Sequence, residues 1–198
     1  MRPISLFLAA LLCLPGAGHV HGQQLANGRS ALSPQRAALR TWAHAQLQVR
    51  EIGKTNRGAA IDQWQRAAGS YALGTFWCSW FVSAGFRACG VPTAYFGRAR
   101  SWFDKAHVVL DHGRQVASQP APQPYDLAGY EWGQPNVSHV GFLDLWGSTA
   151  MCQTIEGNTG GGKQSRDGDG VYKNWRLKRQ VAYVANVVDK PGYGRKRD

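Results

Sequence analysis

Negative charge and long apolar runs are both scarce in this sequence. Its 198 residues include only three glutamates, and 12 Asp+Glu stand against 23 Lys+Arg, for a net charge of +11. A chain this basic attracts polyanions such as nucleic acid, anionic lipid or an anionic cell wall, and charge alone does not choose among them. No apolar run reaches the ~20 residues that a bilayer requires, which excludes a membrane-spanning helix.

The first 22 residues have the pattern of an export signal. An arginine near the start is followed by an apolar stretch from Ile4 to Leu14, a helix-breaking proline and small residues. This stretch is too short to anchor the chain in a membrane, so we predict that residues 1–22 are a signal peptide. The protein is therefore expected to be exported, either to a periplasm or out of the cell.

Cysteine is also scarce, and its count matters after export. Without Cys13 in the signal peptide, the mature chain keeps Cys78, Cys89 and Cys152. An exported protein experiences an oxidising environment, where three thiols suggest one disulfide and one thiol left over. The remaining thiol is a candidate for chemistry.

Helical patterns come first along the chain and strand patterns come second. Ser33-Pro34 is typical of a helix start, and an apolar stripe then runs at helical spacing to Ile52, before Gly53. Two more helices are predicted over 59–68 and 77–89, and strands over 139–146, 151–156 and 180–188. This order favours one α+β domain, residues 33–188, followed by a basic tail (189–198) that we predict to be disordered.

Three motifs in the second half lack the residues their usual ligands need. Gly157–Lys163 has the spacing of a phosphate-binding loop, but Gln164 replaces the required Ser or Thr and turn residues replace the helix. Asp167–Gly170 resembles the start of a calcium loop without the closing glutamate. The basic cluster over 163–179 is typical of a solvated face, so we expect no nucleic-acid partner.

The chemistry is expected to centre on Cys78. A cysteine in the first turn of a helix lies at the positive end of the helix dipole, which favours the nucleophilic thiolate. It needs a histidine as base, and on spacing alone His107 and His139 are nearly equal candidates. If strands 139–146 and 151–156 form a hairpin, Glu156 falls beside His139 and orients it, and this favours His139.

Three short motifs together resemble the CHAP family. They are Trp77-Cys-Ser-Trp-Phe-Val-Ser83, Ser138-His-Val-Gly-Phe142 and Ile155-Glu-Gly-Asn-Thr159, in the family's order and spacing. CHAP proteins are cysteine- and histidine-dependent amidohydrolases/peptidases that cut peptidoglycan. The resemblance implies a papain-like fold, in which N-terminal helices pack on an antiparallel sheet. It also implies a nucleophile at Cys78, a base at His139, an orienting residue at Glu156 and a supporting polar residue at Asn158.

The family resemblance leads to a hypothesis about function and partners. We expect an exported thiol hydrolase that cleaves amide or peptide bonds of peptidoglycan through an acyl-enzyme. Some relatives carry an acidic calcium loop before the cysteine, but this chain has no carboxylate between Asp62 and Cys78. We therefore expect no metal and no cofactor. The alternatives are a non-catalytic basic module that binds wall or another polyanion, and a related thiol amidase or toxin with another amide substrate.

Helix and strand geometry predicts the disulfide. Cys89 lies 11 residues after Cys78, about three helical turns, so both point from the same side of the third helix. Cys152 shares one face of its strand with Glu156, because the two are an even number of residues apart. If the helix packs along that face, Cys89 arrives over Cys152. We therefore predict a Cys89–Cys152 disulfide that leaves Cys78 free.

Overall fold

The computed structural model describes residues 31–133, 135–161 and 167–190. The predicted signal peptide (1–22) and residues 191–198 of the predicted tail lie outside these ranges. Within them, no helix combines the length and the apolar character needed to cross a membrane.

In the first half of the chain, the described residues form three α-helices. They are α1 (Pro34–Ala45), α2 (Ala59–Arg66) and α3 (Cys78–Ala88). Ser33 caps α1 by accepting a hydrogen bond from the backbone N–H of Arg36, as the Ser-Pro start predicts. The second and third helices form where their apolar spacing predicts them, within two residues at each end.

The prediction that α1 continues to Ile52 is wrong. The helix ends at Ala45, and Ile52 is 71% exposed. The chain beyond it pairs with a strand instead: Arg50 forms an isolated antiparallel bridge with Gly170, and Val171 N–H donates to the Val49 carbonyl. This backbone pairing takes up the residues that would have formed two further helical turns.

Seven strands of the described part of the chain form one antiparallel sheet. They are β1 (Val108–Asp111), β2 (Arg114–Gln115), β3 (Leu127–Tyr130), β4 (His139–Leu145), β5 (Met151–Thr159), β6 (Gly170–Leu177) and β7 (Tyr183–Ala185), and their order across the sheet is β2-β1-β7-β3-β4-β5-β6. The expected hairpin of β4 and β5 is present, with Phe142 opposite Ile155. The α+β architecture with a papain-like arrangement of helices and antiparallel sheet is confirmed. The sequence did not predict β1, β2 or β6, and β7 is shorter than the predicted strand.

Two apolar clusters lie on opposite faces of the sheet. The larger one joins the three helices to β4 and β5 through Phe81, Phe142 and Ile155. The smaller one contains Leu143 and Cys152. Because successive side chains of a strand point to opposite faces, Phe142 and Leu143 face different clusters, as do Ile155 and Cys152.

This arrangement explains why the predicted Cys89–Cys152 disulfide is wrong. The structure has no disulfide among its described cysteines. Cys89, which follows α3, packs against the larger cluster, whereas Cys152 lies in the smaller one and its thiol faces the Arg176 carbonyl at 3.6 Å. Cys152 and Glu156 are on one strand face as expected, but α3 packs on the other face. The bridge would therefore have to pass through the sheet.

A buried arginine connects α1 to the middle of the sheet. The Arg36 guanidinium donates to Asp126 at 2.9 Å, to Asn186 at 3.1 Å and to Asp189 at 2.7 Å, and also to the Pro124 carbonyl. Burial raises the pKa of Asp126 to about 6, although the neighbouring Arg36 cation opposes this shift. Asp189, the first residue of the predicted tail, is thus bonded to the helical layer.

Candidate active site

Cys78 is the first residue of α3, and the segment before it is held by polar side chains. Gln65, fully buried, donates to the Thr75 carbonyl at 2.8 Å and accepts from the Gly74 N–H at 3.2 Å. The indole N–H of Trp77 donates to Glu51 at 2.8 Å. No side chain caps the helix at Trp77, so the first amide N–H groups of α3 are not occupied by a cap.

His139 is the first residue of β4, and it lies beside Cys78. Its Nε2 is 3.0 Å from Glu156 Oε2, and both side chains are fully buried. The Cys78 thiol interacts electrostatically with the imidazole, while Nδ1 makes no hydrogen bond of normal geometry with any described residue. Nδ1 is therefore the nitrogen left to exchange a proton with the thiol.

A glycine allows Glu156 to reach the imidazole from the neighbouring strand. Gly141 lies two residues after His139 on β4, where β5 passes beside it. A Cβ atom at this position would lie 2.6 Å from Glu156 Cγ and 2.9 Å from the Ile155 carbonyl oxygen. The absence of a side chain at Gly141 leaves the space that the Glu156 side chain occupies.

The Glu156 carboxylate has a full set of donors. Arg176 on β6 binds both its oxygens, from Nε to Oε1 at 2.8 Å and from a terminal nitrogen to Oε2 at 2.7 Å. The Thr154 hydroxyl donates to Oε1 at 2.5 Å, and the Tyr130 hydroxyl is 3.4 Å from the same oxygen. A buried carboxylate with a bidentate arginine and further donors can remain ionised without water.

These contacts set opposite pKa shifts in the buried pair. Burial opposes a charge on either group. For His139, the interactions with Cys78 and Glu156 outweigh burial and raise its pKa to about 9. For Glu156, the hydrogen bonds from His139 and Arg176 outweigh burial and lower its pKa to about 2. At neutral pH the pair is therefore an imidazolium held by a carboxylate.

An aromatic side chain covers the imidazole. The Trp132 ring stacks on His139 with the ring centroids 4.9 Å apart and an angle of 19° between the planes. The Arg176 guanidinium carbon lies 4.9 Å from the centroid of the same indole. Trp132 thus contacts both the candidate base and the arginine that binds its carboxylate partner, and it keeps water from that side of the ring.

The other two predicted candidates lie elsewhere. Asn158 has a positive φ of 56°, and its side-chain amide donates to the Asn56 side chain at 3.3 Å, which connects the end of β5 to the loop after α1. His107, the rival base, has Asp104 as its carboxylate partner at 2.7 Å and precedes β1. The structure therefore brings Cys78, His139 and Glu156 together, and places Asn158 at the adjoining loop.

Sequence reasoning missed Arg176, Trp132 and Gly141. Arg176 had a detectable signal, because polar residues occupy every second position of β6 from Tyr172 to Arg176. A strand with such a pattern has a polar face, which points to a solvated surface or to a buried polar site. For Trp132 and Gly141 we find no comparable pattern in the sequence.

In the described ranges, no group of three or more His, Cys, Asp or Glu residues is placed to hold a metal ion. Comparison with protein-family models finds a CHAP domain over residues 67–158, which confirms the resemblance based on the three motifs. The match includes Cys78, His139, Glu156 and Asn158, and ends before Arg176. A search of curated proteins and a search of solved structures found no match to the chain.

Proposed function

Because residues 67–158 form a CHAP domain, we propose that this protein is an exported thiol hydrolase that cleaves amide or peptide bonds in peptidoglycan. The observation that carries the proposal is the contact chain from Cys78 through His139 to Glu156, in which Nε2 contacts the carboxylate and Nδ1 has no other hydrogen-bond partner among the described residues. A structural cysteine has no need of a buried, charged histidine beside it. A nucleophilic cysteine does.

The proposed reaction uses each contact in turn. The Cys78 sulfur attacks the amide carbonyl carbon, and the uncapped N–H groups of the first turn of α3 are the candidate donors to the developing oxyanion. The C–N bond then breaks, and the proton on His139 Nδ1 passes to the departing amine. Water next attacks the thioester while the neutral His139 takes one of its protons, and the C–S bond then breaks. This releases the acid product and restores the Cys78 thiolate beside the protonated His139.

Glu156 keeps His139 in the orientation that this reaction needs. Its bond to Nε2 fixes the tautomer of His139, so that Nδ1 faces the sulfur throughout. Arg176 in turn holds the carboxylate in one orientation with two parallel hydrogen bonds. Arg176 is a positioning residue, since it acts through Glu156.

The test is release of soluble muropeptides from purified sacculi. We expect Cys78→Ala and His139→Ala to reduce release to background, because each removes a group that makes or breaks a bond. Cys89→Ala is the matched control: this cysteine lies at the other end of α3, and its loss should leave the rate unchanged. Normal activity of Cys78→Ala would refute the mechanism.

The two alternative functions give different results in the same experiment. A basic module that only binds the wall would sediment with sacculi and release nothing, before and after alkylation with iodoacetamide. A thiol enzyme with another amide substrate would be alkylated at Cys78, with loss of a different hydrolytic activity. Mass spectrometry of products from defined muropeptides identifies the bond that is cut.

A further inference from the structure

A cavity is lined in part by Trp132, the tryptophan that stacks on His139. Its volume is about 430 Å³, and its wall includes Trp132, Glu131, Arg179 and His112. Since the Trp132 ring stacks on the imidazole, one residue contacts both the candidate base and the cavity. A volume in this range suits a small ligand or one to two amino-acid residues.

The position of the cavity relates it to one half of the substrate. In the proposed reaction, His139 gives its proton to the departing amine, so the amine side of the scissile bond lies at His139. Trp132 contacts His139 and also lines the cavity, so a segment that continued beyond this amine past Trp132 would reach the cavity. The cavity is thus placed to contact the leaving portion of the substrate rather than the acyl portion bound to Cys78.

The wall presents one negative and one positive group that are not paired with each other. Glu131 Oε2 accepts from His112 Nε2 at 3.1 Å, and its other oxygen has no hydrogen bond within the described ranges. Arg179 is exposed, and its side chain makes no ion pair or hydrogen bond with any described residue. Both groups can therefore accept a ligand without first breaking an internal ion pair.

His112 holds Glu131 in place. Its Nδ1 contacts Asp111 at 2.6 Å, and the edge of its ring packs on Tyr183. The Asp111 and Glu131 carboxylates raise the pKa of His112, so the imidazole is a stable donor to Glu131 over a wider pH range. The carboxylate is thereby fixed at the mouth of the cavity while keeping one oxygen for a ligand.

We propose that this cavity is a specificity subsite for the leaving peptide, and that it selects a diamino acid with a free amine and a free carboxylate. Glu131 would bind the ammonium group and Arg179 the carboxylate, for which its planar fork is suited. The proposal rests on the proposed function, because it assumes a peptide of the wall as substrate. It adds which part of that peptide determines the rate of cleavage.

Three matched peptide fragments of peptidoglycan test the subsite. One keeps the free amine and carboxylate of its diamino acid, the second is acetylated on that amine, and the third is amidated on that carboxylate. Binding of each is measured by calorimetry to the Cys78→Ala protein, which cannot turn them over. We expect the unmodified fragment to bind about tenfold or more tightly than either modified one, since each modification removes a charge-assisted contact.

Charge-neutralising variants then assign each contact. These variants are made in the Cys78→Ala background. Glu131→Gln should abolish the difference in affinity between the unmodified and the acetylated fragment only. Arg179→Met should abolish the difference in affinity between the unmodified and the amidated fragment only. Arg66→Met, which removes an exposed cation on α2, is the control and should change neither ratio. The proposal would be overturned if all three fragments bound with equal affinity. It would also be overturned if Glu131→Gln and Arg179→Met lowered the affinity for every fragment equally.

The kinetic measurement separates this result from the proposed function. With Cys78 present, the same preferences should appear in kcat/KM, while iodoacetamide alkylates Cys78 at the wild-type rate in Glu131→Gln and Arg179→Met. Selective binding without any hydrolysis would refute the proposed function and leave the subsite standing. Hydrolysis of all three substrates with equal kcat/KM would refute the subsite and leave the proposed function standing.

Discussion

Replacing Arg176 by methionine removes one of the two cations that compensate the fully buried Glu156 carboxylate, the other being His139. Methionine fills much of the same volume, so the main change is electrostatic. The Arg176 and Glu156 side chains are 2% and 0% exposed, and two hydrogen bonds of 2.7 and 2.8 Å connect them. Breaking such a pair by removing one partner costs about 3–5 kcal/mol of unfolding free energy. This is a large part of the roughly 5–15 kcal/mol of a typical domain.

The matched control is Arg57→Met. Arg57 also donates two short hydrogen bonds to a carboxylate, that of Asp62, but its side chain is 42% exposed. Water and salt screen an exposed pair, so its loss should cost much less. Urea unfolding at pH 7 compares the two variants. Equal losses in both would contradict the argument that Arg176 compensates a buried charge.

The pH dependence of this stability difference supplies a second check. In the wild type the pKa of Glu156 is lowered to about 2 from an ordinary 4.5, so the group stabilises the fold above pH 4.5 and loses this effect as the pH falls toward 2. Without Arg176 this pKa rises, and the carboxylate accepts a proton more easily. The difference in unfolding free energy between wild type and Arg176→Met should therefore be largest above pH 4.5 and should decrease toward pH 2.

Activity should respond in the same variant. If Glu156 becomes protonated or moves, His139 loses the partner that helps to raise its pKa to about 9. The alkaline limb of the pH–rate profile should then move to lower pH in Arg176→Met. Arg176→Lys, which keeps the charge without the planar fork, should give a smaller displacement. An unmoved limb in Arg176→Met would mean that Arg176 has a structural role only.

Three further predictions follow from the site and the fold. Gly141→Ala should lower the rate of hydrolysis about tenfold or more, because the new methyl group displaces Glu156. The control is Gly161→Ala, which should leave the rate unchanged because a Cβ there meets only ordinary contacts at 3.4 Å. The rate of hydrolysis by the wild type should persist to pH about 9 and fall above it, because His139 then loses its proton. A fall in rate that begins near pH 6.5 would contradict this. Thiol titration of the denatured, non-reduced protein without residues 1–22 should find three free thiols. A single free thiol would show that two of the cysteines form a disulfide.

The helices could be predicted from sequence because their signals are local. Ile61 and Trp64 face the core at helical spacing, and glycine or proline follows the end of α3. The apolar spacing also continued past α1, where Arg50 and Val49 pair with β6 instead. A pattern within one segment cannot reveal a partner 120 residues away.

The strands were harder to predict from the sequence because their residues are selected by contacts with the neighbouring strands. β3 is Leu-Ala-Gly-Tyr, two of whose residues have little preference for strands, yet all four are buried between β4 and β7. The contact of His139 with Glu156 could be anticipated, since the hairpin fixes it. The bidentate bond from Arg176 could not, because it depends on β6, for which no strand was predicted.

The order of strands in the sheet has a consequence for synthesis of the protein. β7 is the last described strand in sequence, yet it lies between β1 and β3 and pairs with both. A nascent chain that stops before Tyr183 exposes two unpaired strand edges and lacks the Asn186 and Asp189 partners of Arg36. Unpaired edges invite aggregation, and long-range pairing is slow. The sheet can therefore close only after β7 has been made, which delays completion of the sheet that carries His139 and Glu156 until long after both residues have been synthesised.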